Sequence, residues 1–368
     1  LSHFLEHLIF KGTKKYPADE ISKIVETQGG VINAATSKEF TYFYIDTYKA
    51  GAQDSVKILA DAMGNITLPP DELERERPVV LEEIARHNDN PGAMLYDVFT
   101  EALFPDSPYK PSVLGSSDVI KNVSRAQILD YYKAHYVPAN MVMCIVGDIN
   151  PDEMLALVKD TLGKLENRKP PAEPSLVQKE HKGNFISLPK DVEQTYSLSG
   201  FLGPDVLSEE QGIADVSSVI LGGGRTSRLY RKLREEKRLV YGIGSSFWGQ
   251  RGTGAVVISS VFAPENQKAV LEATREQVDD LAKNVPSDEE LKRAKEILKS
   301  QWYFGNETYH DLASLFGYWE TQGNPAMIEK YIAGIESVTK NDVLDFFKKY
   351  YNSYGLSTSI IAPKNGTK

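Results

Sequence analysis

Cysteine is nearly absent from this sequence. Its 368 residues include one, Cys144, so neither an intrachain disulfide nor a cysteine-based metal cluster can form. Its place in the apolar run Met141-Val142-Met143-Cys144-Ile145-Val146 predicts a buried strand thiol. Long apolar runs are missing as well. No stretch approaches the ~18 residues that a membrane-spanning helix needs, so no membrane partner is expected. There is no block of Lys or Arg, and the net charge is −9, which excludes nucleic acid as the main partner. The chain also lacks an initial Met and a signal peptide. It begins Leu1-Ser2-His3, with a helical apolar pattern already under way, and is expected to be a fragment or a processed form. The lack of disulfides and of a visible targeting signal places it by expectation in the cytoplasm.

What is present is a balanced soluble composition, 41% apolar and 25% charged, long enough for two domains of roughly 180 residues each. The segment Glu166–Gly183, with three prolines and many charges, reads as an interdomain linker. It separates an N-terminal domain, 1–165, from a C-terminal domain, 184–368. The two parts resemble each other. Val123 to Tyr136 (VSRAQILDYYKAHY) parallels Val338 to Tyr351 (VTKNDVLDFFKKYY) at an offset of 215 residues, and Leu68-Pro69-Pro70-Asp71-Glu72-Leu73 parallels Val285 to Leu291 at 217, counted from Pro69 to Pro286. Two matches at nearly one offset predict a duplicated domain. In both helical segments a Ser or Thr at the second place is the expected N-cap. Phe40–Ile45, Met141–Gly147, Gly254–Phe262 and Gly355–Ile361 are β-rich. Asp54–Met63, Asp71–Arg86, Asn266–Ala282 and Asp288–Trp302 have helical periodicity. Strands and helices cluster without strict alternation, which predicts α+β domains with antiparallel or mixed sheets packed against helices.

The chemistry concentrates at the start of the chain. In His3-Phe4-Leu5-Glu6-His7 the histidines are four apart, so a helix places both imidazoles on one face, one turn apart, where they can grip a single Zn²⁺. Glu6 sits near the same face, within reach of a reacting water without being a ligand, as a general base must. A catalytic zinc needs a third protein ligand. On the helix 72–84, Glu76 and Glu83 lie two turns apart on one face. Glu83 is the expected ligand and Glu76 the group that orients a histidine; Glu82, turned about 100° away, is expected at the surface. Pro78 removes one hydrogen bond from that helix and predicts a late start or a kink. The opposing reading is that a histidine pair on an amphipathic helix is ordinary packing. Among the remaining histidines, His87 reads as a helix-terminal residue and His135, His181 and His310 as structural or exposed.

H-x-x-E-H is known as an inverted zinc-peptidase motif, and His3 to Thr13 (HFLEHLIFKGT) resembles the zinc-binding segment of the M16 peptidases, the family of pitrilysin, insulin-degrading enzyme and mitochondrial processing peptidase. In that family the third ligand lies about 76 residues past the second histidine, which falls on Glu83, with a further glutamate seven residues earlier, on Glu76. Gly29 to Thr36 followed by Thr41-Tyr42-Phe43 resembles the family's substrate-binding edge strand, where a peptide adds through main-chain hydrogen bonds, so Asn33 and Ala34 are implied to touch substrate. Gly222 to Leu229 resembles its glycine-rich loop; without a following G-K-[ST] it is no phosphate loop. Leu233 to Tyr241 resembles a segment carrying an Arg/Tyr pair seven apart, which implies that Arg234 binds a peptide carbonyl and Tyr241 stabilises an oxyanion. Phe10, one turn past His7, either shapes a pocket beside the metal or simply packs.

The resemblance covers nearly the whole chain. It implies a zinc-dependent endopeptidase, with Glu6 as general base, hydrolysing peptides or unfolded segments inside an enclosed chamber, one half-shell of a clamshell being supplied by each two-domain subunit. The second half carries no counterpart of the zinc motif (Ser300 falls at the place of Glu83), so one Zn²⁺ per chain is expected. Because the chain holds both the zinc motif and the Arg/Tyr pair, a homodimer is implied, with a heterodimer alongside a sister subunit as the other arrangement. Family members also carry several tens of residues before the zinc helix, so the first strands of the N-terminal sheet are expected to be missing here. The competing reading is a non-catalytic assembly or chamber subunit of the same fold.

Overall fold

The computed structural model describes residues 1–364 apart from 19, 106 and 173–182. Along the chain lie α1 (Ser2–Ile9), α2 (Glu20–Thr27), β1 (Val31–Thr36), β2 (Thr41–Asp46), α3 (Ala52–Gly64), α4 (Pro70–Asp89), α5 (Pro91–Leu103), α6 (Ser117–Asn122), α7 (Arg125–His135) and α8 (Pro151–Asp160). There follow β3 (Phe185–Lys190), β4 (Thr195–Gly203), α9 (Gln211–Gly222), β5 (Val240–Gln250), β6 (Thr253–Phe262), α10 (Gln267–Leu281), α11 (Asp288–Phe304), α12 (Tyr309–Thr321), α13 (Met327–Ser337), α14 (Lys340–Phe346) and β7 (Ser357–Pro363). The fold is α+β, as expected. Much of the linker segment lies outside the described residues, and so does His181.

The residues group into two compact units. The first holds Leu1–His87, Ser112–Glu173 and Asn306–Gly323; the second holds Asn88–Pro111, Pro174–Gly305 and Asn324–Lys368. Each unit therefore contains one helix from the other half of the sequence, α12 in the first and α5 in the second. These helices occupy equivalent places in the repeat, since Tyr309 follows Pro91 at an offset of 218 residues, close to that of the sequence matches.

In the second unit a five-stranded sheet runs β3-β7-β4-β6-β5. The β3–β7 pair is parallel and the other pairs are antiparallel. Alternation sends successive side chains to opposite faces. Phe201, Val256 and Ile258 join one core with α9, α10 and α11, while Leu202, Ala255 and Val257 join another with Phe99 and Leu103 of α5. Both faces of β6 are thus covered, which is why its sequence is a nearly continuous apolar run. β5 is an edge strand with a bulge between Val240 and Gly242.

In the first unit β1 and β2 form an antiparallel hairpin. Ile32, Phe43 and Ile45 pack on a core of Phe4, Leu5, Leu8, Ile21, Val80 and Ile84 from the surrounding helices. On the other face, Phe40 meets Tyr318 and Tyr44 meets His310, both from α12. The predicted caps are present. Ser124 with Gln127, and Thr339 with Asp342, form reciprocal capping boxes at α7 and α14, each satisfying two backbone donors at a helix start.

Two expectations are corrected. Met141–Gly147 carries no assigned strand. β propensity produces a strand only where a neighbouring backbone completes the ladder, and among the described residues the first unit's sheet is the β1–β2 pair alone. Cys144 is accordingly half-buried and not a core strand residue; burial still pushes its thiol above the usual range. Pro78 does not delay α4, which runs from Pro70 to Asp89. Pro78 is on the exposed side of the helix, so the carbonyl that loses its donor can turn to water. Among the described residues no helix is long and apolar enough to cross a membrane.

Candidate metal centre

α1 is short, and its placement depends on burial. Phe4, Leu5, Leu8 and Ile9 are almost fully buried, which anchors the helix and leaves His3, Glu6 and His7 on the remaining face. α4 buries Leu73, Val80 and Ile84 in the same core. That choice of apolar face turns Glu76 and Glu83 toward α1 and leaves Glu82 exposed.

The two histidine rings meet edge to face, with centroids 4.8 Å apart. His3 Nε2 and His7 Nε2 both point at one oxygen of Glu83, Oε2, at 3.4 and 3.3 Å. One ligand atom from each of the three residues can be chosen so that all lie within 4.8 Å of one another; among the described residues no other group of three does this. Donor atoms about 2.0–2.1 Å from a tetrahedral zinc ion are ~3.4 Å apart, so two of the three separations already match such a site. Two imidazoles and a carboxylate are also the donor set that a catalytic zinc takes.

Glu76 settles the tautomer of His7. Its side chain is largely buried; Oε1 lies 2.8 Å from His7 Nδ1 and Oε2 lies 3.0 Å from Lys11 Nζ. Burial would raise the Glu76 pKa, but the hydrogen bonds from His7 and Lys11 outweigh it and hold the carboxyl below the ordinary range. An ionised Glu76 can only accept, so His7 donates from Nδ1, and Nε2 is the nitrogen that faces Glu83. His3 is buried, and its Nδ1 has no partner among the described residues. Burial pushes the His3 pKa down against the attraction of Glu83, which favours the neutral imidazole that a metal requires.

Glu6 stands apart from the three convergent residues. Its Oε2 accepts a hydrogen bond from the Thr36 hydroxyl at the end of β1. Phe10 packs edge to face on Phe43 with centroids 5.7 Å apart, which makes it part of the core wall. Asn33 and Ala34 lie on β1 opposite Tyr44 and Phe43, and the Ala34 N–H donates to Asn33 Oδ1 at 2.9 Å. Arg234 and Tyr241 belong to the second unit. Arg234 lies in a π-helical turn, Tyr230–Glu236, and is half-buried; Tyr241 occupies the β5 bulge with its side chain exposed. Bulges often re-aim a side chain beside a functional site.

The sequence reading missed Lys11 and Thr36. Lys11 had a signal, since it lies one turn past His7 and could reach the same acidic partner. Thr36 had none, because its contact with Glu6 spans 30 residues. His135 stacks on Tyr131, and His310 bonds Asp46, in keeping with their structural readings.

Residues 1–117 match the family described as Insulinase (Peptidase family M16), and residues 122–298 match the Peptidase M16 inactive domain. Over 346 residues the chain is 32% identical to an uncharacterized zinc protease of Mycobacterium bovis, spanning 93% of this chain and 79% of that protein. With the zinc protease PqqE of Helicobacter pylori it shares 29% identity over 372 residues, 99% of this chain and 83% of the relative. The crystal structure of a protease from Helicobacter pylori superposes with a TM-score of 0.91 at 28% identity, covering 98% of this chain and 89% of that one. The peptidase M16 inactive domain from Pseudomonas fluorescens shares the fold, with a TM-score of 0.88 at 21% identity over 100% of this chain and 89% of its own. With both halves of the sequence matched and relatives called zinc proteases on either side of 30% identity, the chain belongs to peptidase family M16.

Proposed function

We propose that the protein is a zinc-dependent endopeptidase with one Zn²⁺ per chain, held by His3, His7 and Glu83. The observation that carries this reading is the convergence of two histidine Nε2 atoms on one Glu83 oxygen, with Glu76 holding the His7 tautomer. Zinc bound there supplies Lewis acidity, which polarises a peptide carbonyl and makes water a nucleophile near neutral pH. Glu6 takes the proton from the attacking water and passes it to the leaving amine. A peptide or an unfolded segment adds to β1 as a further strand, with Asn33 and Ala34 in contact with it. The Asn33 side chain first turns away from the Ala34 N–H. Arg234 holds a substrate carbonyl and Tyr241 donates to the developing oxyanion. The substrate is enclosed in a chamber completed by a second two-domain subunit, a further copy of this chain or a sister, in the cytoplasm. A non-catalytic assembly subunit would have no use for a complete ligand set with an oriented histidine and a further carboxylate on the same helix.

The test is zinc content and peptide hydrolysis on wild type, Glu83→Gln and Glu6→Gln. We expect about one zinc per chain in wild type and Glu6→Gln, none in Glu83→Gln, and hydrolysis in wild type alone. Zinc retained in Glu83→Gln, or hydrolysis retained in Glu6→Gln, overturns the corresponding role.

A further inference from the structure

Thr36 ends β1 and pairs across the hairpin with Thr41, the first residue of β2. Its hydroxyl donates to Glu6 Oε2, and the Thr41 hydroxyl donates in turn to Thr36 Oγ1 at 3.4 Å. Beyond Thr41 stands Tyr136, the residue that follows α7. Burial pushes its phenol well above the ordinary range, against a hydrogen bond with Thr41 and with a smaller push from Glu6. Tyr136 therefore stays protonated throughout the neutral range. Two hydroxyl groups, from β1 and β2, lead in order to one oxygen of the carboxylate on α1.

This arrangement bears on what a general base must do. A free glutamate samples several rotamers, and holding one costs side-chain entropy. A base that receives a proton from water and gives it to an amine must stay within hydrogen-bond reach of both. Thr36 grips Oε2 and leaves Oε1 unengaged by that contact. A hydrogen bond that merely closed the hairpin would not need to reach α1, since Thr36 and Thr41 are already opposite each other in the ladder.

We propose that Thr36 is a positioning residue for the general base: backed by Thr41, its hydroxyl fixes Glu6 through Oε2 so that Oε1 carries the proton. This rests on the role assigned to Glu6 above. It also explains how substrate docking and catalysis keep a common reference. Thr36 belongs to β1, the strand to which the peptide adds, so the scissile bond and the base are both measured from one residue. A misplacement of about 1 Å in such a site can cost 10²-fold in rate.

The experiment compares T36V, T36S and T41V with wild type as full chains loaded with zinc, using an internally quenched peptide. T36V is expected to lower kcat roughly 10–100-fold, with KM, zinc content and melting temperature close to wild type. T36S keeps the hydroxyl and is expected to restore most of kcat, and T41V to show a smaller loss than T36V. A T36V protein with wild-type kcat, or a T36S protein as slow as T36V, overturns the inference. Should T36V fail to fold or to hold zinc, T41V decides: reduced kcat with full zinc supports the relay, and unchanged kcat overturns it. Failure of the parent reading looks different, since then the zinc-loaded wild type cleaves nothing or Glu6→Gln remains active.

Discussion

His7 Nδ1 and Glu76 Oε1 lie 2.8 Å apart, although 69 residues separate them in the chain. The contact links the zinc motif to the helix that carries the third convergent residue, and it determines which His7 nitrogen faces Glu83. Glu76→Gln removes the negative charge that Lys11 and His7 share. We expect zinc affinity to fall at least about tenfold, measured by competition with a chelator. Equal affinity in the two proteins would leave Glu76 without an orienting role.

Adjacent carboxylates on α4 should behave oppositely. Glu83 faces the two histidines, whereas Glu82 is exposed. Zinc at a thousandfold excess over its dissociation constant stabilises the folded state by about 4 kcal/mol. Chelation should therefore lower the melting temperature of wild type and of Glu82→Gln, and leave that of Glu83→Gln unmoved. A chelation shift that survives in Glu83→Gln would place the stabilising metal elsewhere.

In the second unit, Arg228 is largely buried between two carboxylates, bidentate to Glu290 at 2.7 and 3.1 Å and bonded to Asp280 at 2.5 Å. Burial alone would raise the Glu290 pKa, but Arg228 and the Ser287 amide outweigh it and hold it at about 2. Arg228→Met strips a buried carboxylate of its main partner and should cost about 3 kcal/mol or more, read from urea midpoints at pH 7. The folded pKa lies below the unfolded one, so this contribution is present above about pH 4.5 and fades as pH falls toward 2. Midpoints of wild type and variant should therefore converge in acid; a constant gap would count against the ion pair.

Asp215 has the reverse sign. Burial pushes its carboxyl up to about 7, against a hydrogen bond from the Tyr331 hydroxyl at 3.1 Å. In the unfolded chain the group ionises near its ordinary value of 3.8. Between those two values the unfolded state holds fewer protons than the folded one, so this contribution is full below about pH 4 and is lost as pH rises through 7. Asp215→Asn cannot ionise. Its stability relative to wild type should rise between pH 5 and pH 8, measured by thermal melts, and parallel profiles would contradict the assignment.

Much of the site was legible because its parts are local. Four-residue spacing on a helix puts His3 and His7 on one face wherever that helix lies, and seven-residue spacing does the same for Glu76 and Glu83. The N-caps at Ser124 and Thr339 were readable for the same reason, since a cap bonds the backbone within its own first turn. Met141–Gly147 misled because β-propensity describes a side chain's fit to a pleated surface and cannot supply the neighbouring strand. Pro78 misled about where α4 begins because the cost of a helix proline depends on whether water reaches the freed carbonyl, which is a matter of burial.

By itself the sequence determined the duplicated α+β plan, the paired histidines, and the carboxylates able to meet them, since all of these follow from periodicity within one element or from similarity between two segments. Tertiary structure decided the rest. It brought the Glu83 oxygen to both Nε2 atoms, set Thr36 against Glu6, and placed α12 in the first unit and α5 in the second. These are contacts between segments far apart in the chain, selected by which apolar faces must be buried together, and no local pattern records that choice.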